Sequence, residues 1–240
     1  MRPATRRSVP MTGSPALSAP DLDYLRGVDS PTIANALERL QLRDRSDGYL
    51  GGSIGCAFPE LGTMVGVALT VTVDNAVGRP ARQEGYWQLW EALERAEGPV
   101  VIVMKDASGT PTRLAYAGEI MVTLASRLGA VGIVTDGALR DLPEVRARGF
   151  HYFMRYPVVS HANFELSKVG DPVFLDGQLV RTGDILHGDA NGVVTVPWES
   201  LPELRDAVAA IQASERRDLD YIDGPDFTLD GYKKVRGYGG

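Results

Sequence analysis

Hydrophobic positions along the chain switch between the spacing of amphipathic helices and that of strands. Ser30-Pro31 starts a helical pattern, because serine can cap a helix and proline fits its first position. The apolar side chains that follow share one face: Ile33, Ala36, Leu37 and Leu40. The β-branched segment TMVGVALTVTV at residues 63–73 predicts a strand. Helical spacing returns at residues 86–93, whose aromatic side chains we interpret as core residues, and residues 99–104 predict the next strand.

The most regular local unit lies in the middle of the chain. Residues 118–128 have apolar side chains at helical spacing, and Gly129 is a typical residue to end a helix. The apolar run at residues 130–135 predicts a strand, and Asp136-Gly137 predicts a turn after it. The segment LRDLPEVRARG then indicates a short helix that ends at Gly149.

The last third of the chain is predicted to be rich in strands. Asp176-Gly177 lies between two short alternating runs in DPVFLDGQLV, which indicates a hairpin, and GDILHGDANGVVTVP indicates another strand pair. A helix is expected from Glu199 to about Asp218. We therefore predict one main domain at residues 21–222, a disordered tail at residues 1–20, and a C-terminal arm or tail at residues 223–240.

Composition and charge exclude several classes of protein. With 44% hydrophobic and 23% charged residues, the 240-residue chain has the composition of an ordinary globular protein. The net charge of −6 argues against direct binding of nucleic acid. The single cysteine, Cys56, excludes an internal disulfide and a multi-cysteine metal site, and we expect it in the core. No run of apolar residues predicts a membrane span, and the chain is expected in the cytoplasm.

The helix and strand of the central unit predict where the next charged residues lie. A helix of about ten residues travels roughly 15 Å, and a strand of about six residues returns roughly 20 Å. Arg140 and Asp141 should therefore lie near the start of the helix, which is formed by Gly118, Glu119, Ile120 and Met121.

This arrangement favours binding of an anion together with a cation. The first N–H groups of a helix and the helix dipole bind carboxylate or phosphate, and Arg140 adds a guanidinium group suited to a carboxylate. Asp141, with Glu119 or water molecules, supplies the hard oxygen ligands that Mg²⁺ or Mn²⁺ prefers. Spacing alone leaves an alternative open, in which Arg140 and Asp141 simply cap or salt-bridge a surface helix.

A family resemblance adds to this interpretation. Glu119, twenty intervening residues and Arg140-Asp141 together resemble the acidic-x20-Arg-Asp signature of class II pyruvate aldolases that cleave 4-hydroxy-4-methyl-2-oxoglutarate, members of the RraA-like family. The segment AYAGEIMVTLASRLGAVGIVTDGALRD is similar to the core block of that family. RTGDILHGDANGVVTVP is similar to its later block, although Thr182 stands where the family usually has proline. The resemblance covers about residues 22–217.

The resemblance implies a fold and an assembly. The expected fold is an α/β single domain with three layers, β/β/α, of the swivelling type. The expected assembly is a homotrimer or a dimer of trimers, with active sites between subunits. Asn35 departs from the aspartate that many relatives have before the Ala-Leu of the first helix.

The resemblance also implies roles for individual residues. Arg140 would contact the substrate and stabilise the developing enolate, and Asp141 would bind the divalent metal, Mg²⁺ or Mn²⁺. Together with Glu119, these residues form the expected catalytic set. Glu215 would correspond to an acidic residue that reaches a neighbouring subunit's metal-bound water. The pyruvyl part of the substrate would be bound, largely through backbone amides, by Gly118, Glu119, Ile120 and Met121.

Two functions follow from the resemblance. The first is a metal-dependent lyase that cleaves 4-hydroxy-2-oxo acids to pyruvate and decarboxylates oxaloacetate through the same enolate, with a small 2-oxo acid as substrate. The second is a protein-binding regulator, because some relatives bind and inhibit a ribonuclease. The three histidines, His151, His161 and His187, are expected to be structural or to face solvent. No Gly-x-Ser-x-Gly or Gly-x-Gly-x-x-Gly motif supports a serine hydrolase or a dinucleotide site.

Overall fold

The computed structural model describes residues 16–237. Most of the predicted N-terminal tail, residues 1–15, therefore lies outside the described residues. Helix α1 begins at Ala19, so the last two residues of the predicted tail, residues 19 and 20, are helical. The Ser18 hydroxyl caps this helix by accepting a hydrogen bond from the Asp21 N–H at 3.2 Å, and Leu25 is buried against the rest of the protein.

The described residues form seven helices and twelve strands, together with short 3₁₀ turns. The helices are α1 Ala19–Arg26, α2 Ser30–Leu40, α3 Glu84–Glu94, α4 Glu119–Arg127, α5 Leu142–Ala147, α6 Leu201–Ile222 and α7 Leu229–Val235. The strands are β1 Gly55–Cys56, β2 Met64–Asn75, β3 Val100–Asp106, β4 Ala130–Thr135, β5 Ala138–Leu139, β6 His151–Met154, β7 Tyr156–Pro157, β8 Phe164–Ser167, β9 Val173–Leu175, β10 Gln178–Val180, β11 Ile185–Asp189 and β12 Gly192–Val196. The helices and strands predicted from spacing are confirmed to within a few residues.

One mixed sheet organises the fold. Its strand order is β1-β6-β4-β3-β2-β11-β12, and β8 pairs with the end of β2. The four strands β6, β4, β3 and β2 are parallel, whereas β11 and β12 run antiparallel to their neighbours. The carboxyl ends of β3 and β4 therefore lie at the same edge of the sheet, where the chain turns toward the start of α4.

The two faces of the sheet are covered differently. On one face, the largest hydrophobic cluster joins the sheet to α3, α4 and α5, with Leu89, Val122 and Val145 fully buried. On the other face, the β9–β10 hairpin packs Val173 and Leu175 against the sheet. Helices α1, α2 and α6 form a third cluster over β11 and β12. The layers are thus β/β/α, and the predicted α/β fold class is confirmed.

Several local expectations are corrected. The cap of α2 is Asp29 and not Ser30, because the Asp29 carboxylate accepts the Thr32 N–H at 2.9 Å. Helix α6 runs to Ile222, beyond the predicted end at Asp218. Cys56 is half-buried at the margin of the core.

The described part of the predicted C-terminal arm is helical. Helix α7 folds back on α6, where the rings of Tyr221 and Tyr232 stack with centroids 6.2 Å apart. Arg236 forms an ion pair with Asp218 at 2.7 Å. Residues 238–240 lie outside the described residues. Between residues 16 and 237, no helix is long and apolar enough to cross a membrane.

Candidate functional site

The start of α4 and the end of β5 meet as the fold-back predicts. The Asp141 carboxylate accepts the Glu119 N–H at 2.8 Å, and the Arg140 N–H donates to the Ala117 carbonyl at 3.1 Å. A third hydrogen bond, from the Tyr116 N–H to the Ala138 carbonyl at 2.9 Å, joins the same two segments. The prediction that Arg140 and Asp141 lie at the first turn of this helix is confirmed.

Two glycines allow this close approach. A Cβ atom at Gly118 would lie 2.3 Å from Asp141 Oδ2 and 2.9 Å from Arg140 Nε. A Cβ atom at Gly137 would lie 2.1 Å from the Tyr116 ring. Since both distances are far below van der Waals contact, no side chain fits at either position without moving the neighbouring groups.

Asp141 is held in an uncommon conformation and keeps one oxygen free. Its backbone is left-handed, with φ 59° and ψ 45°, which costs a non-glycine residue roughly 1–2 kcal/mol. Oδ2 caps α4 and lies 3.7 Å from Arg140 Nε, whereas Oδ1 has no hydrogen-bond donor among residues 16–237. The predicted alternative of a capping aspartate is therefore correct for one oxygen, and the other remains available to a ligand.

The first turn of α4 offers further binding groups. The N–H groups of Ile120 and Met121 find no acceptor in the described part of the chain, so they are available to an anion at the positive end of the helix. The Glu119 carboxylate lies 3.4 Å from Arg148, an ion pair that sequence reasoning missed. The side chain of Ile120 is 84% exposed, so its contribution to binding comes from the backbone.

These groups line a cavity of about 380 Å³. All six residues predicted for the site lie in its wall: Gly118, Glu119, Ile120, Met121, Arg140 and Asp141. Sequence reasoning missed the remaining wall, which is formed by Tyr86, Trp90, Ala115, Tyr116, Ala117, Leu124, His161 and Phe164. Tyr86 and Trp90 are half-buried. Part of each side chain packs against the core, as expected, and the rest lines the cavity.

The aromatic part of the wall is rigidly packed. The Phe164 ring packs edge-on against Tyr116 with centroids 5.6 Å apart and lies 6.2 Å from Tyr86. Behind this wall, the Tyr116 hydroxyl donates to Asp106, whose N–H donates to Asp136 at 2.7 Å. Burial raises the pKa of Tyr86 to about 12, so its hydroxyl is neutral at ordinary pH.

Two other cavities help to define the site. A cavity of about 320 Å³ also borders Arg140 and Asp141, and Pro157 and Val159 line its other side. A larger cavity, of about 510 Å³, lies where β2, β4 and β6 begin, away from Asp141, and contains Arg26 and His151. We assign the site to the α4 cavity, because a helix terminus, a guanidinium group and two carboxylates converge there.

The three histidines occupy different environments. His187 is fully buried, and its Nε2 lies 2.9 Å from the Leu25 carbonyl and 3.0 Å from the Val28 carbonyl, so its predicted structural role is confirmed. His151 is buried too, and burial lowers its pKa. His161 is exposed and lines the α4 cavity, with Nδ1 2.6 Å from the Ala162 carbonyl.

The donor groups fit a hard divalent cation. Asp141 and Glu119 provide two carboxylates at one helix terminus, and Mg²⁺ binds through one or two carboxylates and keeps several waters. No group of three or more His, Cys, Asp or Glu side chains suited to a metal is found in residues 16–237, so the two carboxylates alone would carry the protein's share. Glu215 lies on α6 beside Asn35, whose amide nitrogen is 3.4 Å from it, and does not line this chain's cavity.

Sequence comparisons identify proteins that are similar to this chain. The profile of a family described as RraA-like, Aldolase/RraA, matches residues 30–195, which is more than half of the chain. A candidate 4-hydroxy-4-methyl-2-oxoglutarate aldolase of Halalkalibacterium halodurans is 34% identical over 105 residues, covering 43% of this chain and 49% of that protein. Another from Laribacter hongkongensis is 38% identical over 114 residues, covering 43% of this chain and 64% of that protein. The chain thus spans less than two thirds of either relative.

Solved structures share the fold. An uncharacterized protein from Pseudomonas syringae pv. tomato superposes with a TM-score of 0.71 at 25% identity, covering 96% of this chain and 100% of the other. Streptomyces coelicolor RraAS2, described as an unusual member of the RNase ES inhibitor RraA protein family, superposes with a TM-score of 0.65 at 25% identity. That match covers 86% of this chain and 98% of RraAS2.

Proposed function

The chain belongs to the RraA-like family, and on that basis we propose that it is a divalent-metal-dependent lyase. Its proposed substrates are 4-hydroxy-2-oxo acids of the 4-hydroxy-4-methyl-2-oxoglutarate type, which it cleaves to pyruvate. Oxaloacetate decarboxylation is proposed as a second activity, because loss of CO₂ gives the same pyruvate enolate. The observation that supports this proposal most is the 2.8 Å contact of Asp141 with the first turn of α4, which brings Arg140 to the same cavity.

Each residue of the cavity has a proposed task. The free N–H groups of Ile120 and Met121 bind the carboxylate of the substrate at the positive end of α4. When the C3–C4 bond breaks, its electron pair moves toward the C2 keto oxygen, where the Arg140 guanidinium stabilises the negative charge that develops. Retro-aldol cleavage also requires a base for the 4-hydroxyl proton, and we assign this task to the Glu119 carboxylate. Decarboxylation requires no such base.

Asp141 is the residue proposed to hold Mg²⁺ or Mn²⁺. The ion, when bound, supplies Lewis-acid stabilisation of the oxo acid. Asp141 fits this task because its Oδ1 atom has no donor in the described part of the chain, while its Oδ2 atom is fixed by the Glu119 N–H. The cap thus holds the carboxylate in place before any ion binds.

We propose a homotrimer or a dimer of trimers with the cavity near a subunit boundary. Ile120 and Leu124 line the cavity and are 84% and 41% exposed, and the neighbouring Trp87 is 64% exposed. Apolar surface of this kind is favoured at a protein contact. Light scattering coupled to gel filtration tests the assembly, and a monomeric mass would contradict it.

The test of the proposed lyase activity is pyruvate release from oxaloacetate and from 4-hydroxy-4-methyl-2-oxoglutarate, each with Mg²⁺ or Mn²⁺ and with EDTA. Both reactions should require the metal. Arg140→Ala should lower both rates by at least about 100-fold, since it removes the charge opposite the developing oxyanion. Arg155→Ala is a matched control, because the Arg155 side chain is 34% exposed and that of Arg140 is 35% exposed.

Either of two results would contradict the proposal. One is near-normal decarboxylation by a folded Arg140→Ala variant. The other is pyruvate release at the same background rate with and without metal, which would favour the alternative function, a protein-binding regulator of the kind described for RraA relatives.

A further inference from the structure

We infer that the chain has a second ligand site, which binds a small aliphatic dicarboxylate. The site is the cavity of about 510 Å³ at the start of β2, β4 and β6, which we name the Arg26 cavity. Its volume lies within the range of about 300–1,000 Å³ that is typical of small-molecule sites. It shares no lining residue with the α4 cavity, so the inference does not depend on the proposed lyase function.

The charged side chains that line the Arg26 cavity are two arginines. Arg26 ends α1 and Arg148 directly follows α5, so two separate elements bring their guanidinium groups to one cavity. No acidic side chain lines this cavity, whose wall belongs entirely to the described part of the chain. A guanidinium group can bind a carboxylate through two parallel N–H···O bonds. A ligand with two carboxylates therefore suits this pair of arginines.

The carboxylates beside the cavity leave both arginines able to bind a ligand. Arg26 forms no ion pair within residues 16–237. Glu60, next to the lining residue Leu61, pairs with Arg146 instead. Arg148 lies 3.4 Å from Glu119, but the two side chains are 40% and 42% exposed, so water weakens this pair. Arg148 therefore has N–H groups to share between Glu119 and a ligand.

A buried nitrogen without a partner is an independent sign of a ligand in the same cavity. His151 lines the cavity and is only 8% exposed, and its Nδ1 atom has no hydrogen-bond partner among the described residues. Buried polar atoms are nearly always paired, because an unpaired one has lost its hydrogen bonds to water. Burial also lowers the pKa of His151, so its ring is neutral and has one N–H to donate. A ligand carboxylate would provide the missing acceptor.

The rest of the wall favours a carbon chain between the two carboxylates. Its apolar lining residues are Leu61, Met64, Val65, Ala130, Val131 and Phe150. Methylene groups gain free energy when they leave water for such a surface, whereas inorganic phosphate has no apolar part. The hydroxyl groups of Thr63 and Ser126 also line the cavity and can donate to a carboxylate. The wall therefore matches an aliphatic dicarboxylate better than it matches phosphate.

Arg148 connects the two cavities, because its partner Glu119 lines the α4 cavity. A ligand that binds to Arg148 weakens the ion pair with Glu119. By thermodynamic linkage, loss of the ion pair strengthens binding of the ligand by the same factor. One consequence rests on the proposed lyase function: occupancy of the Arg26 cavity would act on Glu119, the residue proposed to take the 4-hydroxyl proton.

The test is isothermal titration calorimetry of the full-length protein with three anions in the presence of Mg²⁺. Glutarate has two carboxylates on a short carbon chain, butyrate has one carboxylate, and inorganic phosphate has no carbon chain. We expect one glutarate per chain, with a Kd at least about 10-fold lower than that of butyrate or phosphate. Absence of glutarate binding, or equal Kd values for glutarate and either of the other anions, would overturn the inference.

A pair of arginine variants tests the position of the site. Arg26→Gln removes one guanidinium group and should raise the Kd for glutarate by at least about 10-fold. Arg39→Gln is the matched control and should leave this Kd unchanged. Arg26 and Arg39 are both exposed and lie in the last turns of α1 and α2, but Arg39 does not line the cavity. An unchanged Kd in Arg26→Gln, with circular dichroism that shows a folded protein, would overturn the inference.

Two variants of the α4 cavity separate this site from the proposed active site. Arg140→Ala should leave glutarate binding unchanged, and loss of binding would place the ligand in the α4 cavity and overturn the inference. Glu119→Gln frees Arg148 and should lower the Kd for glutarate by about 2- to 5-fold. An unchanged or higher Kd would exclude Arg148 and overturn the site of two arginines. Because all these measurements follow binding, failure of the protein to release pyruvate would contradict the proposed lyase function alone.

Discussion

Gly118→Ala tests whether the close approach at the start of α4 matters for activity. Gly118 has φ −143° and ψ −166°, an extended conformation that alanine adopts without strain, so the substitution acts through its Cβ atom alone. That atom would lie 2.3 Å from Asp141 Oδ2, 2.9 Å from Arg140 Nε and 3.1 Å from Arg140 Cγ. Both proposed catalytic side chains must therefore move.

The size of the movement sets the expected effect. An ordinary contact requires the Asp141 carboxylate to retreat by about 1 Å, and a misplacement of about 1 Å at a catalytic site can lower the rate by about 100-fold. The same movement weakens the hydrogen bond from the Glu119 N–H that caps α4. Loss of a cap costs about 1 kcal/mol, which lowers Tm by only about 2–4 °C in a protein of this length.

The assay is metal-dependent pyruvate release from oxaloacetate, coupled to lactate dehydrogenase, with Tm from circular dichroism. Gly52→Ala is the matched control, because a Cβ atom at Gly52 would meet nothing within 4 Å. We expect Gly118→Ala to be nearly inactive and almost as stable as the native protein, and Gly52→Ala to be unchanged in both respects. Near-normal kcat/KM in Gly118→Ala would refute the assignment of Arg140 and Asp141 to the reaction.

Three further predictions concern metal binding, packing and pH. Asp141→Asn keeps an oxygen that can cap α4 but loses the negative charge. The Mn²⁺ concentration for half-maximal activity should therefore rise by more than about 10-fold, with little change in Tm. An unchanged Mn²⁺ requirement would exclude Asp141 as a ligand. Gly85→Ala places a Cβ atom 1.9 Å from the Leu166 carbonyl oxygen. Urea denaturation should show that the free energy of unfolding falls by about 1–3 kcal/mol. Unaltered stability would contradict the tight contact of α3 with β8. Burial lowers the pKa of His187 and of His151, so the unfolded chain binds more protons below about pH 6.5. The free energy of unfolding should therefore be highest above that pH and should fall on acidification, by up to about 1.4 kcal/mol per pH unit for each histidine. Urea denaturation at pH 7.5 and 5.5 measures this difference. Equal stability at the two pH values would contradict the prediction.

Some features were invisible in the sequence because their neighbours are distant along the chain. The aromatic wall joins Tyr86, Tyr116 and Phe164, which are separated by tens of residues and share no periodic pattern. The ion pair of Arg148 with Glu119 depends on how α5 packs beside α4. Only the first two residues of helix α1, residues 19 and 20, fell within the predicted tail, and the helix that they begin is capped by Ser18 and anchored by Leu25.

The sequence by itself determined the central α–β unit and the place of Arg140 and Asp141 within it. Helix hydrogen bonds join residues four apart, and strand side chains alternate, so local spacing reports these elements and their lengths directly. Tertiary structure alone decided which residues face Arg140 and Asp141 across the cavity. The order of strands in the sheet brings β8 and α3 next to α4, and this order results from burial of the whole chain's apolar surface, to which every element contributes at once.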